Sequence, residues 1–466
     1  MTPMTSMTAD QMSTLFVQIA SYRDPELIPT LHDLVNRAEF PCRLRIVVSW
    51  QHGTDETLGG FFLEGFQKWR LQPDQPFCVH TFDLRGATVE LIDIPHELSQ
   101  GACWARNLIQ QRYQEETYTL QLDSHHRFVP HWDTQLIAMQ EQLRARSPKP
   151  LLTAYLPAYT PAAPHPGDQG ASAALGMRFD RFTPESPIFF RAFELPEWQS
   201  LPEPVPARFY SGHFTFADGS FAREVQHDPE YFFHGEEISL AVRAYTHGYD
   251  LYHPHRNLAR HEYSREGRPK FWDDHDGNAR DAGRVSQAWW ERNARSLARN
   301  RALFGMEDAS APAAEAPEAK YGFGQARTLA DYEAYAGISF SDRAVQPEVI
   351  ACQPPGAGAP LSDPASWRAT LRRSHDLHIS AHRSVFDIQA CTEATQVRVR
   401  ALRADGSVLH EDTATIESSR SHCKNDWFDR RLAFLCDLSE QPAAYQIAAL
   451  DANQTILAKF EKALTA

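Results

Sequence analysis

A short stretch between residues 120 and 128 constrains the fold of this chain more than any other part. Here an apolar, strand-like run ends in Asp123, and His125 follows two residues later. Residues two apart in an extended segment project from the same face, so a carboxylate and an imidazole would lie side by side. Carboxylate oxygens suit Mg²⁺, Ca²⁺ or Mn²⁺, and the added imidazole favours Mn²⁺. The alternative is a polar loop that follows a buried strand.

The segments around this stretch alternate between strands and helices. We predict strands at 15–20, 44–50, 89–94 and 118–122, with helices beginning near Pro25 and after Gly101. Such alternation is typical of parallel strands with right-handed crossovers, whose ligands bind beyond the carboxyl ends of the strands. Arg106 lies in the first turns of the second helix, where it could bind phosphate or form a buried ion pair. The sequence therefore predicts an α/β unit with Asp123 at the ligand-binding edge of its sheet.

A second informative block runs from 211 to 263. Glu236 and Glu237 begin a segment of helical periodicity that continues through Arg243. Acidic residues in a first turn stabilise a helix, which is the simplest role for this pair. A short predicted strand at 250–252 precedes three histidines, His253, His255 and His261.

The remaining pattern indicates a second domain. With 466 residues the chain is long enough for two or three domains. An irregular run at 157–174 predicts either a lid or an insertion. Alternating strands follow from about Val345, with hairpin signals at 404–406 and 451–453. We predict a catalytic domain at 1–305, a linker and helical coda at 306–344, and a C-terminal all-β sandwich as an accessory domain at 345–466.

Composition excludes several classes of protein. The net charge of -14 and the lack of a long basic run exclude direct nucleic-acid binding. Seven widely spaced cysteines without a Cys-x-x-Cys pair indicate neither a disulfide framework nor a zinc knuckle. The first residues lack a signal-peptide pattern, and no stretch is long and apolar enough to span a bilayer. We expect a soluble, cytoplasmic protein with no membrane span.

Four elements together resemble a GT-A glycosyltransferase, at 18–24, at Gly101 with 105–107, at 121–128 and at 233–243. Over about residues 14–340 the chain is most similar to the cytoplasmic protein-hydroxyproline N-acetylglucosaminyltransferases, and the segment 327–337 adds to this likeness. The Asp-x-His form also resembles the mucin-type polypeptide GalNAc-transferases, which retain configuration at the sugar. The resemblance implies a Rossmann-like GT-A domain with a mostly parallel sheet.

The resemblance also implies roles for particular residues. Asp123 and His125 match the metal-binding pair, and His261 is the predicted third ligand for Mn²⁺ or Mg²⁺, with His253 and His255 as alternatives. The residues predicted to bind the UDP-sugar donor are Ala20, Ser21, Tyr22, Arg23, Arg106, Asp123, Ser124 and Arg243.

Glu236 and Glu237 match the catalytic acidic pair that faces the sugar and the acceptor. Glu237 lies where inverting relatives keep a base, whereas in a retaining enzyme it would position the sugar or the acceptor. Arg243 would pair with the diphosphate or with Glu236.

The leading hypothesis is a metal-dependent glycosyltransferase. It would transfer a sugar, GlcNAc from UDP-GlcNAc, to a hydroxyl of a protein, peptide or glycan acceptor, with retention of configuration. The alternatives are a metal-dependent hydrolase of a nucleotide-sugar or similar substrate, and a carbohydrate-binding protein that uses its C-terminal sandwich.

Overall fold

The structure is a computed structural model that describes residues 13–161, 172–185, 187–264, 267–306, 318–356 and 363–464. Part of the predicted irregular run at 157–174 and most of the predicted linker lie outside the described residues. The chain divides into two compact units. The first contains the described residues up to 336, except 179–189, together with 354–356. The second contains Phe179–Phe189, Gly337–Gln353 and the described residues from 363 onward.

The first unit begins with the predicted alternation of strands and helices. Its elements up to residue 128 are β1 (Leu15–Tyr22), α1 (Leu27–Arg37), β2 (Leu44–His52), α2 (Leu58–Leu63), β3 (Gln67–Gln72), β4 (Val79–Leu84), β5 (Ala87–Pro95), α3 (Ala102–Gln110), β6 (Tyr118–Asp123) and β7 (His126–Phe128). The elements that follow are α4 (Trp132–Leu143), β8 (Pro150–Thr153), β9 (Leu175–Phe182), β10 (Ile188–Glu194), β11 (Val205–Pro206), β12 (Phe214–Asp218), α5 (Phe221–Glu224), α6 (Glu236–Thr246), β13 (Asp250–His253), β14 (Ala259–His261), α7 (Phe271–Asp274), α8 (Gly277–Asp281), α9 (Trp289–Leu303) and α10 (Leu329–Ala336).

A ten-stranded mixed sheet organises the first unit. Its strand order is β11-β13-β8-β12-β6-β1-β2-β5-β4-β3. The four central strands β6, β1, β2 and β5 are parallel, and β12 and β4 join them antiparallel on either side. Both faces of β1 are buried, because Val17 and Phe16 pack into separate apolar clusters. A sheet buried on both faces explains the continuous apolar runs of the sequence and confirms the predicted α/β class.

The sequence analysis did not predict three strands of this sheet, β3, β4 and the two-residue β11. β3 reads Gln-Lys-Trp-Arg-Leu-Gln and is exposed along its whole length. It therefore lacks the apolar alternation that marks a half-buried strand. β4 lies between β3 and β5 in the sheet, so the predicted third strand is in fact the fifth. The predicted helix after Gly101 is present and runs from Ala102 to Gln110.

The second unit contains the predicted antiparallel sheets. Its elements are β15 (Ile338–Ser339), β16 (Ala344–Val345), α11 (Pro347–Ile350), α12 (Pro364–Ala369), β17 (Arg372–His382), β18 (Gln396–Leu402), β19 (Val408–Thr415), α13 (Ile416–Arg420), β20 (Cys423–Lys424), β21 (Trp427–Asp437), β22 (Ala444–Leu450) and β23 (Ile456–Ala463). One sheet has the order β15-β16-β17-β21-β20 and the other β19-β18-β22-β23. One apolar cluster contains Ile379 from the first sheet and Val399 from the second, which confirms the sandwich.

The second unit begins earlier than the predicted boundary at 345. Gly337 is its first residue after α10, because β15 and β16 pair with each other and β16 pairs with β17. It also includes 179–189, where the Phe182 N–H donates to Ser374 Oγ at 3.1 Å. Neither feature has a local sequence signal. No helix of the described chain combines the length and apolar character needed to cross a bilayer, and the cytoplasmic location stays a prediction.

We predict that Trp132→Ala destabilises the first unit. Trp132 is fully buried at the start of α4, and its Nε1 donates to the Leu34 carbonyl oxygen at 2.9 Å. Loss of a buried tryptophan costs about 3–5 kcal/mol through lost apolar contact and the cavity left behind. The midpoint of thermal unfolding, followed by circular dichroism, should fall by several degrees. Trp290→Ala is the control, because Trp290 is 43% exposed, and its thermal midpoint should stay near that of the wild type. Equal midpoints for the two variants would contradict the buried packing of Trp132.

Candidate active site

The sheet brings three chain segments together at the carboxyl end of β6. In the parallel pairing of β1 with β6, Ala20 lies opposite Asp123, the last residue of β6. The chain then continues into β7, which pairs antiparallel with β14 so that His126 lies opposite His261. Strand pairing therefore places His261 beside the Asp123 stretch, although the two are far apart in sequence.

Asp123, His125 and His261 form a cluster of potential metal ligands. One ligand atom from each residue lies within 4.8 Å of those of the other two. His261 Nε2 is 3.2 Å and His125 Nε2 is 3.8 Å from Asp123 Oδ2. The structure thus brings His261 to the pair. His253 instead contacts the Thr153 carbonyl oxygen and the Met177 N–H.

The donor set of this cluster fits a divalent cation. One carboxylate and two imidazoles suit Mn²⁺, and such ligands must be deprotonated to bind metal. Burial alone would raise the pKa of Asp123, but the hydrogen bond from His261 and the charge of Arg106 hold it well below its usual value. Burial lowers the pKa of His261. Among the described residues, the buried Nδ1 of His261 has no hydrogen-bond partner.

Asp24 contacts the cluster through a hydrogen bond with His125. Its Oδ2 accepts hydrogen bonds from His125 Nδ1 at 2.7 Å and from Ser124 Oγ at 2.6 Å. A proton on His125 Nδ1 leaves Nε2, which faces Asp123, as the ring's lone-pair donor. Arg268 Nη1 lies 2.9 Å from Asp24 Oδ2. Burial would raise the pKa of Asp24, but His125 and Arg268 lower it.

Arg106 joins the cluster to the acidic pair. Its side chain is 4% exposed; Nη2 donates to Asp123 Oδ1 at 2.7 Å and Nη1 to Glu236 Oε1 at 2.8 Å. Cys103 Sγ lies 2.7 Å from the other Glu236 oxygen and donates to it. Both oxygens of Glu236 are therefore engaged, and the residue holds Arg106 in place.

Glu237 has different surroundings from Glu236. Its Oε2 accepts from the Tyr155 hydroxyl at 2.9 Å and its Oε1 from the Gly212 N–H at 2.9 Å. Burial raises the pKa of Glu237 to about 7, with the charge of Glu236 adding to the shift and the Gly212 N–H opposing it. A carboxyl group with such a pKa can take up or release a proton near neutral pH.

A pocket of about 220 Å³ opens at the cluster. The predicted site residues that line it are Ala20, Tyr22, Arg106, Asp123, Ser124, His125 and His261. Arg23 instead pairs with Asp274, with 2.9 Å between the charged atoms, and Ser21 is buried outside the lining. Glu236 and Glu237 also lie outside the lining, so their catalytic role stays a prediction.

The predicted pairing of Arg243 with Glu236 is wrong, and its predicted contact with the donor stays a prediction. Its side chain is buried, and its guanidinium donates to the backbone carbonyl oxygens of Gln226, Lys320 and Gly322. Arg106, rather than Arg243, pairs with Glu236. Helical spacing from Glu236 suggested the pairing, but the long side chain of Arg243 reaches the segment before α10 instead.

Sequence analysis missed most of the pocket wall. Besides Tyr22, its aromatic residues are Tyr263, Phe232, Phe233, Phe271 and Trp272. Nothing in the spacing of the sequence placed Phe271 or Trp272 at the site. Asp24 also lines the pocket. Its Oδ1 accepts from the Glu26 N–H at 2.9 Å, while its Oδ2 accepts from His125.

The ligand cluster lies at the carboxyl edge of the α/β sheet, where open sheets of this class bind their ligands. Residues 14–342 match the model of the family Glycosyltransferase (GlcNAc), and the chain belongs to that family. Membership confirms the predicted glycosyltransferase family. It does not extend to the specific relationship with the hydroxyproline-modifying enzymes.

The search of solved structures returns distant likenesses. The crystal structure of GalNAc-T7 with UDP, GalNAc and Mn²⁺ is 14% identical with a TM-score of 0.43, and the match covers 64% of this chain and 50% of that one. S. aureus TarS 1-349 in complex with UDP-GlcNAc is 12% identical with a TM-score of 0.33, over 62% and 72% of the two chains. The mannosyltransferase PcManGT from Pyrobaculum calidifontis, in complex with GDP-Man and Mn²⁺, is 12% identical with a TM-score of 0.36. That match covers 64% of this chain and 66% of the other.

The aligned part of the chain thus spans half the length of GalNAc-T7. A search of the curated proteins finds no match.

We predict that Gly212→Ala disrupts the ion pair of Arg106. A Cβ at this position would lie 2.7 Å from Glu236 Oε1 and 3.2 Å from Arg106 Nη1. Overpacking of this kind costs about 1–3 kcal/mol, so the thermal midpoint should fall. Gly60→Ala is the matched control, since its Cβ would meet only Ile28 at 3.6 Å within helix α2. Equal thermal midpoints for the two variants would contradict the close approach of Gly212 to Glu236 and Arg106.

We predict that the stability of the protein depends on the charge of Glu237. Its pKa is about 7 when folded against about 4.3 for an unfolded glutamate, so the folded state binds the extra proton between these values. The stability of the wild type relative to Glu237→Gln should fall as pH rises from about 4.5 to about 7, and level off above.

The difference in thermal midpoint between the wild type and Glu237→Gln, measured from pH 5 to pH 8, tests this prediction. Glu115→Gln, at a side chain 68% exposed, serves as the control. A difference for Glu237→Gln that does not change with pH would contradict a raised pKa.

Proposed function

We propose that this glycosyltransferase is metal-dependent and uses UDP-GlcNAc as its donor. The observation that carries the proposal is the cluster of Asp123, His125 and His261 in the lining of the pocket. The acceptor in this proposal is a hydroxyl of a protein, peptide or glycan, and the product retains the configuration of the donor sugar.

The chain's own residues have separate roles in this proposal. Asp123, His125 and His261 would hold Mn²⁺ or Mg²⁺, and Asp24 orients His125 through its Nδ1. The chemistry that a bound divalent cation supplies is neutralisation of the diphosphate as it leaves. Arg106 keeps Asp123 ionised and in position, because Glu236 anchors its other amino group.

The aromatic wall and Glu237 account for the rest of the site. Tyr22 and Phe271, with ring centroids 5.5 Å apart, present apolar surface on which the uracil ring can rest. Glu237 would position the acceptor hydroxyl or the donor sugar, and the Tyr155 hydroxyl and Gly212 N–H hold its carboxyl group. The anomeric configuration of the product, read by proton NMR, decides between retention and inversion.

Isothermal titration tests the donor and the metal together. We expect UDP-GlcNAc to bind in the presence of Mn²⁺, to bind more tightly than UDP-GalNAc or UDP-glucose, and to lose at least tenfold in affinity with EDTA. Asp123→Asn should abolish the effect of Mn²⁺, because it removes the only carboxylate of the described ligand cluster.

Asp74→Asn is the matched control, since this side chain is 50% exposed and pairs with Arg112. It should bind the donor as the wild type does. Equal donor affinity with Mn²⁺ and with EDTA, in folded protein, would contradict the metal site.

A further inference from the structure

A second cluster of potential metal ligands surrounds the Glu236 oxygen that Arg106 does not use. Its members are Cys103, His227 and Glu236, and one ligand atom from each lies within 4.8 Å of those of the other two. They come from three parts of the first unit, namely α3, the segment between α5 and α6, and the first turn of α6. Each residue is at most 6% exposed. Neither Cys103 nor His227 has a role in the proposed transfer reaction.

A hydrogen bond on the other side of its ring orients His227 toward this cluster. His227 Nε2 lies 2.7 Å from Gln121 Oε1, and the Gln121 amide nitrogen donates to the Gly212 carbonyl oxygen. Nε2 therefore carries the ring proton, and Nδ1 holds the lone pair. Burial lowers the pKa of His227 well below its usual value, so the ring is neutral. A neutral imidazole whose other N–H donates to an oxygen is the usual state of a histidine that binds metal.

Two electron-rich atoms face each other in this cluster. His227 Nδ1 lies 3.6 Å from Glu236 Oε2. Within the described residues, the hydrogen bonds of His227 use its backbone groups and Nε2, not Nδ1. A lone pair so close to a carboxylate oxygen repels it, and a cation bound to both atoms would remove the repulsion.

The spacing of the ligand atoms fits a zinc site. Bonds of zinc to sulfur, nitrogen and oxygen in a tetrahedral arrangement place the ligand atoms about 3.3–3.6 Å apart. The distance from His227 Nδ1 to Glu236 Oε2 already has this value. Cys103 Sγ lies closer to Glu236 Oε2, at 2.7 Å, because its thiol donates to that oxygen. Loss of this proton would let the sulfur move outward by the roughly 1 Å that a zinc site needs.

The charges of the cluster also favour such a cation. Burial and the charge of Glu236 raise the pKa of Cys103, so the thiol keeps its proton when no metal is bound. Entry of Zn²⁺ would form a bond to sulfur as the S–H bond breaks and the proton leaves to solvent, which adds one positive charge. Asp123 and Glu236 share the single cation Arg106, so this added charge would neutralise the group.

We propose that Cys103, His227 and Glu236 form a second, buried metal site for a thiophilic divalent cation such as Zn²⁺. A thiolate beside an imidazole and a carboxylate selects zinc, whereas Mg²⁺ and Mn²⁺ prefer oxygen ligands. A cation bound there would join α3 to α6 through Glu236, the residue that anchors Arg106. The proposal depends on neither the donor nor the metal proposed for the Asp123 cluster, because the two sets share no ligand.

Absorption spectroscopy with Co²⁺ on the full chain tests the proposal. Co²⁺ occupies zinc sites, and a bond from Co²⁺ to a thiolate gives a charge-transfer band in the near ultraviolet that carboxylate and imidazole ligands do not give. We expect this band in the wild type at equilibrium, and we expect Zn²⁺ but not Mg²⁺ to remove it. Cys103→Ser should abolish the band. Its hydroxyl can still donate to Glu236, so the fold should persist, as the thermal midpoint without metal would verify.

Three further variants make the test specific. His227→Gln should lower the affinity for Co²⁺ about tenfold or more, because it removes a ligand. Cys78→Ser is the matched control, since this cysteine is exposed, and it should keep the band. Asp123→Asn should also keep the band, even though it should abolish the effect of Mn²⁺ on donor binding. No thiolate band in folded wild type, or an equal band in Cys103→Ser, would overturn the proposal whatever the donor measurements show.

Discussion

The buried guanidinium of Arg106 is the interaction on which the candidate active site depends. It lies between Asp123 at the end of β6 and Glu236 at the start of α6, with donor–acceptor distances of 2.7 and 2.8 Å. Each carboxylate would be costly to bury alone, and the arginine compensates both. The tight approach of Gly212 to the same groups leaves no room for a longer side chain. The end of the central sheet and the first turn of α6 are thereby held in one arrangement.

This arrangement gives the two glutamates different surroundings. Arg106 and Cys103 engage both oxygens of Glu236, whereas Glu237 faces only neutral donors. Burial beside the charge of Glu236 then raises the pKa of Glu237 to about 7. Two adjacent carboxyl groups with such different surroundings are a common basis for dividing a structural role from proton transfer.

The sequence was informative where function depends on strand ends and uninformative where it depends on long side chains. Asp123 and His125 could be identified because a buried strand stops there, and β14 brings His261 to them through strand pairing. Arg243 was misassigned because helical spacing does not reveal which backbone carbonyl oxygens a long side chain reaches. β3 was missed because an exposed edge strand needs no apolar alternation. The orienting contact of Asp24 with His125 arises only from the packing of two chain segments.

The charges of the pocket explain why a metal ion and a nucleotide-sugar would favour each other's binding. Its charged lining residues are Asp24, Asp123, Glu262, Arg106, Arg268 and Lys270, three carboxylates and three cations. Because these charges balance, a divalent cation alone would leave the pocket positive and a diphosphate alone would leave it negative. Together they restore the balance, so each should increase the affinity of the other by the same factor. That coupling is the physical reason why the donor proposed for this pocket requires the cluster of Asp123, His125 and His261.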